Sequence, residues 1–241
     1  MSLNIAETLA GSAADLGEQT GLVEAATGRS LTFAQLQARS DAYAHIITKK
    51  GIQAGDRVML MVKPSADFIC LTFGLFKVGA PVILIDPGMG YKNLLRCIGG
   101  VRPHAFIGIP KAHLFRSLFR KVFSTVQHSL CCGNSFGLFG PDISRQADRD
   151  LGRYPTHKAE KGDLAAIIFT TGSTGPPKGV RYEHTVFHAQ LRLIRDYYGI
   201  GPGQVDQPAF PLFALFSTAL GAMAVIPDMD PTRPAKVDPV R

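Results

Sequence analysis

The run Pro81-Val82-Ile83-Leu84-Ile85 is apolar without a break, and it limits the folds open to this chain more than any other feature. A strand exposed on one face alternates polar and apolar residues. An unbroken apolar strand is covered on both faces, as in a parallel sheet flanked by helices. Residues 58–62, 105–109 and 163–170 read as further short buried strands. Helix-like segments separate them. Thr32 and Gln35 have capping-box spacing, predicting a helix that turns Leu36, Tyr43, Ile46 and Ile47 inward and ends at Lys49-Lys50-Gly51. Ser65 is placed to cap a second helix, apolar nearly all round, running to about Val78 and closed by Gly79. Further helices are expected near 90–98, over 111–126, and over 183–198 with Phe187, Leu191, Ile194 and Tyr198 on one face. The first thirty residues are small and polar with weak pattern, and 127–161 read as a long loop. This alternation predicts an α/β fold of layered, mostly parallel sheets with helices on both faces.

Composition narrows the function classes. Hydrophobic residues make up 46% and charged residues 19%, enough apolar surface for a packed core. The formal charge of +7 suits anionic ligands such as nucleotides. No block of five or six like charges and no nucleic-acid motif is present, so nucleic acid is not an expected partner. Cys70, Cys97, Cys131 and Cys132 lack zinc-site spacing and read as reduced thiols, which fits a cytoplasmic protein. The longest apolar stretch, 68–82, is too short to span a bilayer. The 111–126 segment sets Leu114, Phe115, Leu118, Phe119, Val122 and Phe123 on one face, with Arg116, Arg120 and Lys121 among them. It reads either as a surface helix covering the sheet or as a membrane-surface or acyl-carrier contact.

The chemistry concentrates in Thr170-Thr171-Gly172-Ser173-Thr174-Gly175-Pro176-Pro177-Lys178-Gly179. Glycines let backbone N–H groups approach an anion, hydroxyls add donors, and Lys178 supplies a point charge for phosphate. Pro176 and Pro177 restrict the loop. The loop leaves a buried strand, so it should lie at the carboxyl edge of the sheet, where α/β proteins bind ligands. It is not a Walker A loop: Pro177 stands where glycine is needed, and Gly179 follows Lys178 in place of Ser or Thr. The dinucleotide fingerprint Gly-x-Gly-x-x-Gly is also missing.

The segment resembles the signature loop of the adenylate-forming superfamily: acyl-CoA synthetases, luciferases and peptide-synthetase adenylation domains. Other segments agree in order. Leu31-Thr32-Phe33-Ala34-Gln35-Leu36, Gly55-Asp56-Arg57-Val58, and Phe76-Lys77-Val78-Gly79-Ala80-Pro81 leading to Ile85-Asp86-Pro87 are similar to the family's early segments. His184 stands where the family often has a histidine. Residues 208–216 and 226–234 look like the long-chain β-lactone synthetase branch of bacterial olefin biosynthesis, whose members are often labelled peptide synthases.

This resemblance implies ATP-dependent activation of a carboxylic acid as an acyl adenylate, with Mg²⁺ sharing the phosphate charge. The implied acid is a 2-alkyl-3-hydroxy fatty acid that goes on to a β-lactone. A fatty acyl-CoA ligase or an amino-acid adenylation domain is the alternative. A non-catalytic nucleotide-binding or interaction module is the alternative of another class. Implied nucleotide contacts are Thr170, Thr171, Gly172, Ser173, Thr174, Gly175 and Lys178, around the β- and γ-phosphates. Phe210, Phe213, Ala214 and Phe216 either line an acyl pocket or belong to the core. CoA, a carrier protein or a pathway enzyme are candidate partners. Asp228 and Asp230, flanked by prolines, read as solvated turns rather than metal ligands. The family's later adenine- and ribose-contacting segments, metal-binding acid and catalytic lysine have no counterpart in residues 1–241. The expectation is therefore an incomplete N-terminal AMP-binding domain that does not complete adenylation by itself.

Overall fold

The structure, a computed structural model, describes residues 3–170, 177–208 and 210–229. The elements run α1 (Ala6–Leu16), β1 (Thr20–Glu24), β2 (Ser30–Thr32), α2 (Phe33–Lys49), β3 (Val58–Met61), α3 (Ala66–Val78), β4 (Val82–Ile85), α4 (Tyr91–Val101) and β5 (Ala105–Gly108). They continue with α5 (Pro110–Leu118), β6 (His128–Cys131), α6 (Ile143–Gln146), β7 (Leu164–Thr170), β8 (Lys178–Glu183), α7 (His184–Tyr198), β9 (Val205–Asp206), α8 (Ala214–Ala219) and β10 (Met223–Ile226).

Two sheets form. The larger has strand order β6-β5-β3-β4-β7-β8, and the smaller β2-β1-β10-β9. Pairing is parallel throughout except β1 with β2 and β7 with β8. Successive strand residues point to opposite faces, so the larger sheet feeds two cores. Val58, Leu60, Val82, Ala105, Ile107, Ala166 and Ile168 join the main core with α2, α3 and α7. Met59, Ile83, Ile85, Phe106 and Ile167 join a second core with Leu94, Cys97 and Ile98 of α4 and with Phe123. This two-sided covering is why the strands are apolar without alternation.

The helix signals work as chemistry predicts. The Thr32 hydroxyl accepts from Gln35 N at 3.2 Å while Gln35 Oε1 accepts from Thr32 N at 2.9 Å, a complete capping box. Ser65 Oγ accepts from Phe68 N at 3.2 Å, and Gly79 ends α3 at φ 79°, in the left-handed region. The centre of α3 is buried all round, and even Lys77 is fully covered. Its Nζ lies 2.6 Å from Asp41 Oδ1 and 2.7 Å from Ser40 Oγ. Burial pulls the Lys77 ammonium down, and the hydrogen bond to Asp41 opposes that.

Three expectations need correction. The first thirty residues are not without structure: they hold α1, β1 and the first residue of β2, and Asn4, Ile5, Ala6 and Leu9 are buried. Alanine and glycine dominate α1, so its packing face carries little periodic signal. The helix expected over 111–126 stops at Leu118, where Phe119 leaves helical geometry at φ −111°, ψ 42°. The chain then folds back to bury Phe123, and Thr125 Oγ1 bonds Pro103 O at 2.7 Å. Residues 127–161 contain β6, which pairs in parallel with β5, and the short α6. As an edge strand His128-Ser129-Leu130-Cys131 needs few apolar residues, so its pattern is faint. On α7, Phe187 and Leu191 are buried but Tyr198 is exposed. No helix among the described residues is long and apolar enough to cross a membrane.

Candidate functional site

Five strands of the larger sheet run parallel, so their carboxyl ends share one edge. β7 ends there at Thr170, and β8 returns antiparallel from Lys178. Thr170 and Lys178 are the last register pair of this hairpin, both exposed, with the glycine-rich loop between them. Thr171, Gly172, Ser173, Thr174 and Gly175 lie outside the described residues. Lys178 makes no ion pair among the described residues. Among the described residues, no carboxylate competes for its ammonium at the loop edge.

The hairpin is a strand pair that sequence reading left out. Gly179 gives it a packing reason. A Cβ at Gly179 would meet Phe169 Cζ at 3.0 Å and Ile167 Cγ2 at 3.1 Å. The glycine after the lysine lets β8 lie close across Phe169. Asp86 lies at the same edge. It follows the Ile85–Phe169 pair directly, one strand from the loop, and its Oδ1 accepts from Gly88 N at 2.7 Å. The Asp-Pro-Gly sequence was the available signal for that turn at the same edge.

The aromatic candidates form one string. Phe210 and Phe213 have ring centroids 5.7 Å apart, Phe213 and Phe216 5.9 Å, and Phe216 meets Phe187 of α7 at 5.8 Å. Phe187 in turn lies 5.5 Å from Tyr182 of β8. The string thus joins the Phe210–Phe216 segment to the strand that begins at Lys178. Its ends differ: Phe210 and Phe213 are half exposed, whereas Ala214 is fully buried and Phe216 nearly so. Phe210 and Phe213 leave apolar surface open; Ala214 and Phe216 belong to the core.

Other ionisable groups are structural. His184 is buried, its Nδ1 accepts from Ile5 N at 3.2 Å, and its ring stands edge-on to Phe76. Burial pushes its pKa down to about 4, so it is neutral at physiological pH. All four cysteines are free and buried, and burial raises Cys70 and Cys132 to about 12. Such thiols are poor nucleophiles. Among the described residues no three His, Cys, Asp or Glu side chains converge as a metal site. Asp228 is exposed, and Asp230 lies outside the described residues.

Five parallel strands with the β7–β8 hairpin at their carboxyl edge define an α/β protein whose glycine-rich segment leaves the sheet where such folds bind ligands. Residues 10–228 match the AMP-binding enzyme family, and the chain belongs to it. Two relatives are 46% identical: the olefin beta-lactone synthetases of Xanthomonas campestris pv. campestris, over 212 residues and 87% of this chain, and of Stenotrophomonas maltophilia, over 213 residues and 88%. The chain spans 38% of the length of each. Tyrocidine synthase 3 of Brevibacillus parabrevis is 30% identical over 83% of this chain and 3% of its own length. Among solved structures, the N-terminal domain of FACL13 from Mycobacterium tuberculosis superposes with a TM-score of 0.82 at 23% identity, covering 97% of this chain and 59% of that one. The chain thus shares the fold of the part of that N-terminal domain which it covers.

Proposed function

We propose that this chain is the N-terminal part of an AMP-binding domain in a longer enzyme that activates a 2-alkyl-3-hydroxy fatty acid with ATP and closes it to a β-lactone. The observation that carries the reading is the hairpin that begins Lys178 opposite Thr170 at the carboxyl edge of the parallel sheet. The 46% identity to two olefin beta-lactone synthetases supports the choice of acid. The string from Tyr182 to Phe210 supports an apolar acid beside that edge.

Lys178, Thr170 and the hydroxyl and amide groups of Thr171, Gly172, Ser173, Thr174 and Gly175 hold the β- and γ-phosphates in this reading. A carboxylate oxygen attacks the α-phosphorus, the bond to the β-phosphate oxygen breaks, and pyrophosphate leaves. Lys178 then stabilises charge that grows on the departing group, where fixed cations are most effective. No side chain is needed as a nucleophile, so positioning dominates. In the second step the substrate's β-hydroxyl oxygen attacks the acyl carbonyl, its proton is lost, and AMP departs as the ring closes. The phosphates that Lys178 and Thr170 would hold would carry Mg²⁺ with them as part of the nucleotide substrate, and the ion would share their charge. No described side-chain cluster would hold it independently. Phe210 and Phe213 flank the acyl chain, with Ala214 and Phe216 supporting them. Four buried, free thiols favour a cytoplasmic setting.

The test has two arms. ATP with Mg²⁺ should raise the melting temperature of this chain, and Lys178→Ala should remove most of that rise. In a polypeptide that carries these residues with the remaining length of such relatives, the 2-alkyl-3-hydroxy acid should drive ATP–pyrophosphate exchange. Exchange driven only by amino acids would favour a peptide-synthetase reading instead. Robust exchange by residues 1–241 alone would contradict the partial-site reading.

A further inference from the structure

Residues 87–141 contain seven Lys or Arg and no Asp or Glu, so this one segment accounts for the chain's entire formal charge of +7. In the fold, α4 and α5 pack their apolar sides on the second core. Their outer sides leave Lys92, Arg96 and Lys111 exposed, with Arg120 and Lys121 just beyond α5. None of these five cations has an ion-pair partner among the described residues.

The same face carries apolar side chains that no core absorbs. Leu118 is 72% exposed and Leu114, one turn earlier on α5, is 55% exposed. The loop after β6 adds Phe136 at 95% and Leu138 at 77% exposure. This loop is anchored to α5: Phe139 stacks on the buried His113 at 5.1 Å, and Gly133 lies against Pro110. It is also internally built. Phe136 holds φ 51°, a conformation that bulky residues avoid. Asn134 Oδ1 secures it by accepting from Phe136 N at 2.9 Å, while Ser135 O accepts from Leu138 N at 3.0 Å. A strained turn thus fixes a phenylalanine fully in solvent.

We propose that this face docks the protein on an anionic phospholipid bilayer, with Phe136, Leu138, Leu114 and Leu118 entering the interface and the α4–α5 cations meeting lipid phosphates. Apolar tips ringed by cations match such a surface in both charge and polarity. A nucleic acid would need the cations but not Phe136 or Leu138. An acidic carrier protein would be a compact partner, whereas these cations extend over two helices. The loop after β6 leaves the same sheet edge as Thr170, four strand spacings away, about 20 Å. The inference does not depend on what the glycine-rich loop binds.

The chain has no tryptophan, so Phe136→Trp creates a unique reporter. With vesicles of phosphatidylcholine and phosphatidylserine, its emission should shift to the blue and be quenched by brominated acyl chains. Pure phosphatidylcholine should produce far less of either. Triple reversal at Lys111, Arg120 and Lys121 to Glu should lower the vesicle partition coefficient by on the order of 100-fold. Phe136→Ser with Leu138→Ser should lower it by on the order of 100-fold or more. Unchanged circular dichroism would show that these surface variants still fold. The proposal is overturned if the tryptophan stays in water on anionic vesicles, or if the serine pair binds like the parent. Duplex RNA binding as tight as vesicle binding, indifferent to the serine pair, would instead mark a general polyanion surface and overturn the lipid assignment.

Discussion

Thr170 and Lys178 stand opposite each other as the terminal pair of the β7–β8 ladder. The pairing fixes both ends of the glycine-rich segment at one point of the sheet edge, so Lys178 is positioned by strand register and not by the loop. In the longer enzyme, Lys178→Ala should reduce ATP–pyrophosphate exchange by on the order of 10²–10³. Because Lys178 is exposed, its loss should change unfolding free energy by no more than about 0.5 kcal/mol. Steady-state exchange and urea denaturation of the same sample decide this; an active variant would remove the phosphate role.

Lys77 and Asp41 form a buried ion pair between α3 and α2. Lys77→Met leaves the Asp41 carboxylate buried without its cation and should cost about 3–5 kcal/mol. Replacing both residues, Lys77→Met with Asp41→Leu, should recover a large part of that loss because neither charge remains. Urea midpoints of the two variants give the comparison. A neutral single substitution would show that the pair contributes little.

His184 is buried neutral, with a folded pKa of about 4 against an ordinary 6.5. The unfolded chain therefore takes up a proton between those values that the native state refuses. Its contribution is constant above pH 6.5, falls as pH drops toward 4, and falls no further below that. The loss should reach about 3 kcal/mol. His184→Gln should flatten this part of the stability–pH curve. An identical slope in the variant would assign the effect to other groups.

Gly79 ends α3 with φ 79°, and an added Cβ would lie 2.5 Å from Cδ2 of His157. Gly79→Ala combines left-handed strain with a clash and should cost on the order of 2–3 kcal/mol. Gly28, at φ 71° with open space around it, should cost less on the same change. Paired thermal melts separate strain from collision; equal losses would mean the His157 side chain simply moves.

Legibility varied with how local the signal was. Thr32, Gln35, Ser65 and Gly79 were readable because caps act through neighbouring backbone groups. The central strands were readable because burial on both faces removes polar residues from them altogether. His128-Ser129-Leu130-Cys131 was not, since an edge strand has fewer partners and its register depends on β5, distant in sequence. The stop at Leu118 was equally hidden: residues 119–126 continue a helical pattern, but the second core takes Phe123 only if the chain turns back. Lys77 looks like any helix cation until Asp41 and Ser40 close over it. The candidate site was partly visible. Its hydroxyls, glycines and lysine spell a phosphate grip, yet nothing local says that Lys178 begins a strand or that Phe216 is covered.

By itself the sequence determined the two-sided burial of the central strands, the helix ends and the chemical character of the glycine-rich segment. These depend on periodicity, caps and side-chain type, which act over a few residues. Only tertiary structure decided that Lys178 pairs with Thr170, that Tyr182 and Phe187 join that hairpin to Phe210 and Phe213, and that Phe139 stacks on His113 of α5. Those relationships bring distant segments together. Their energies come from closing long loops against shared cores, which no short stretch of sequence encodes.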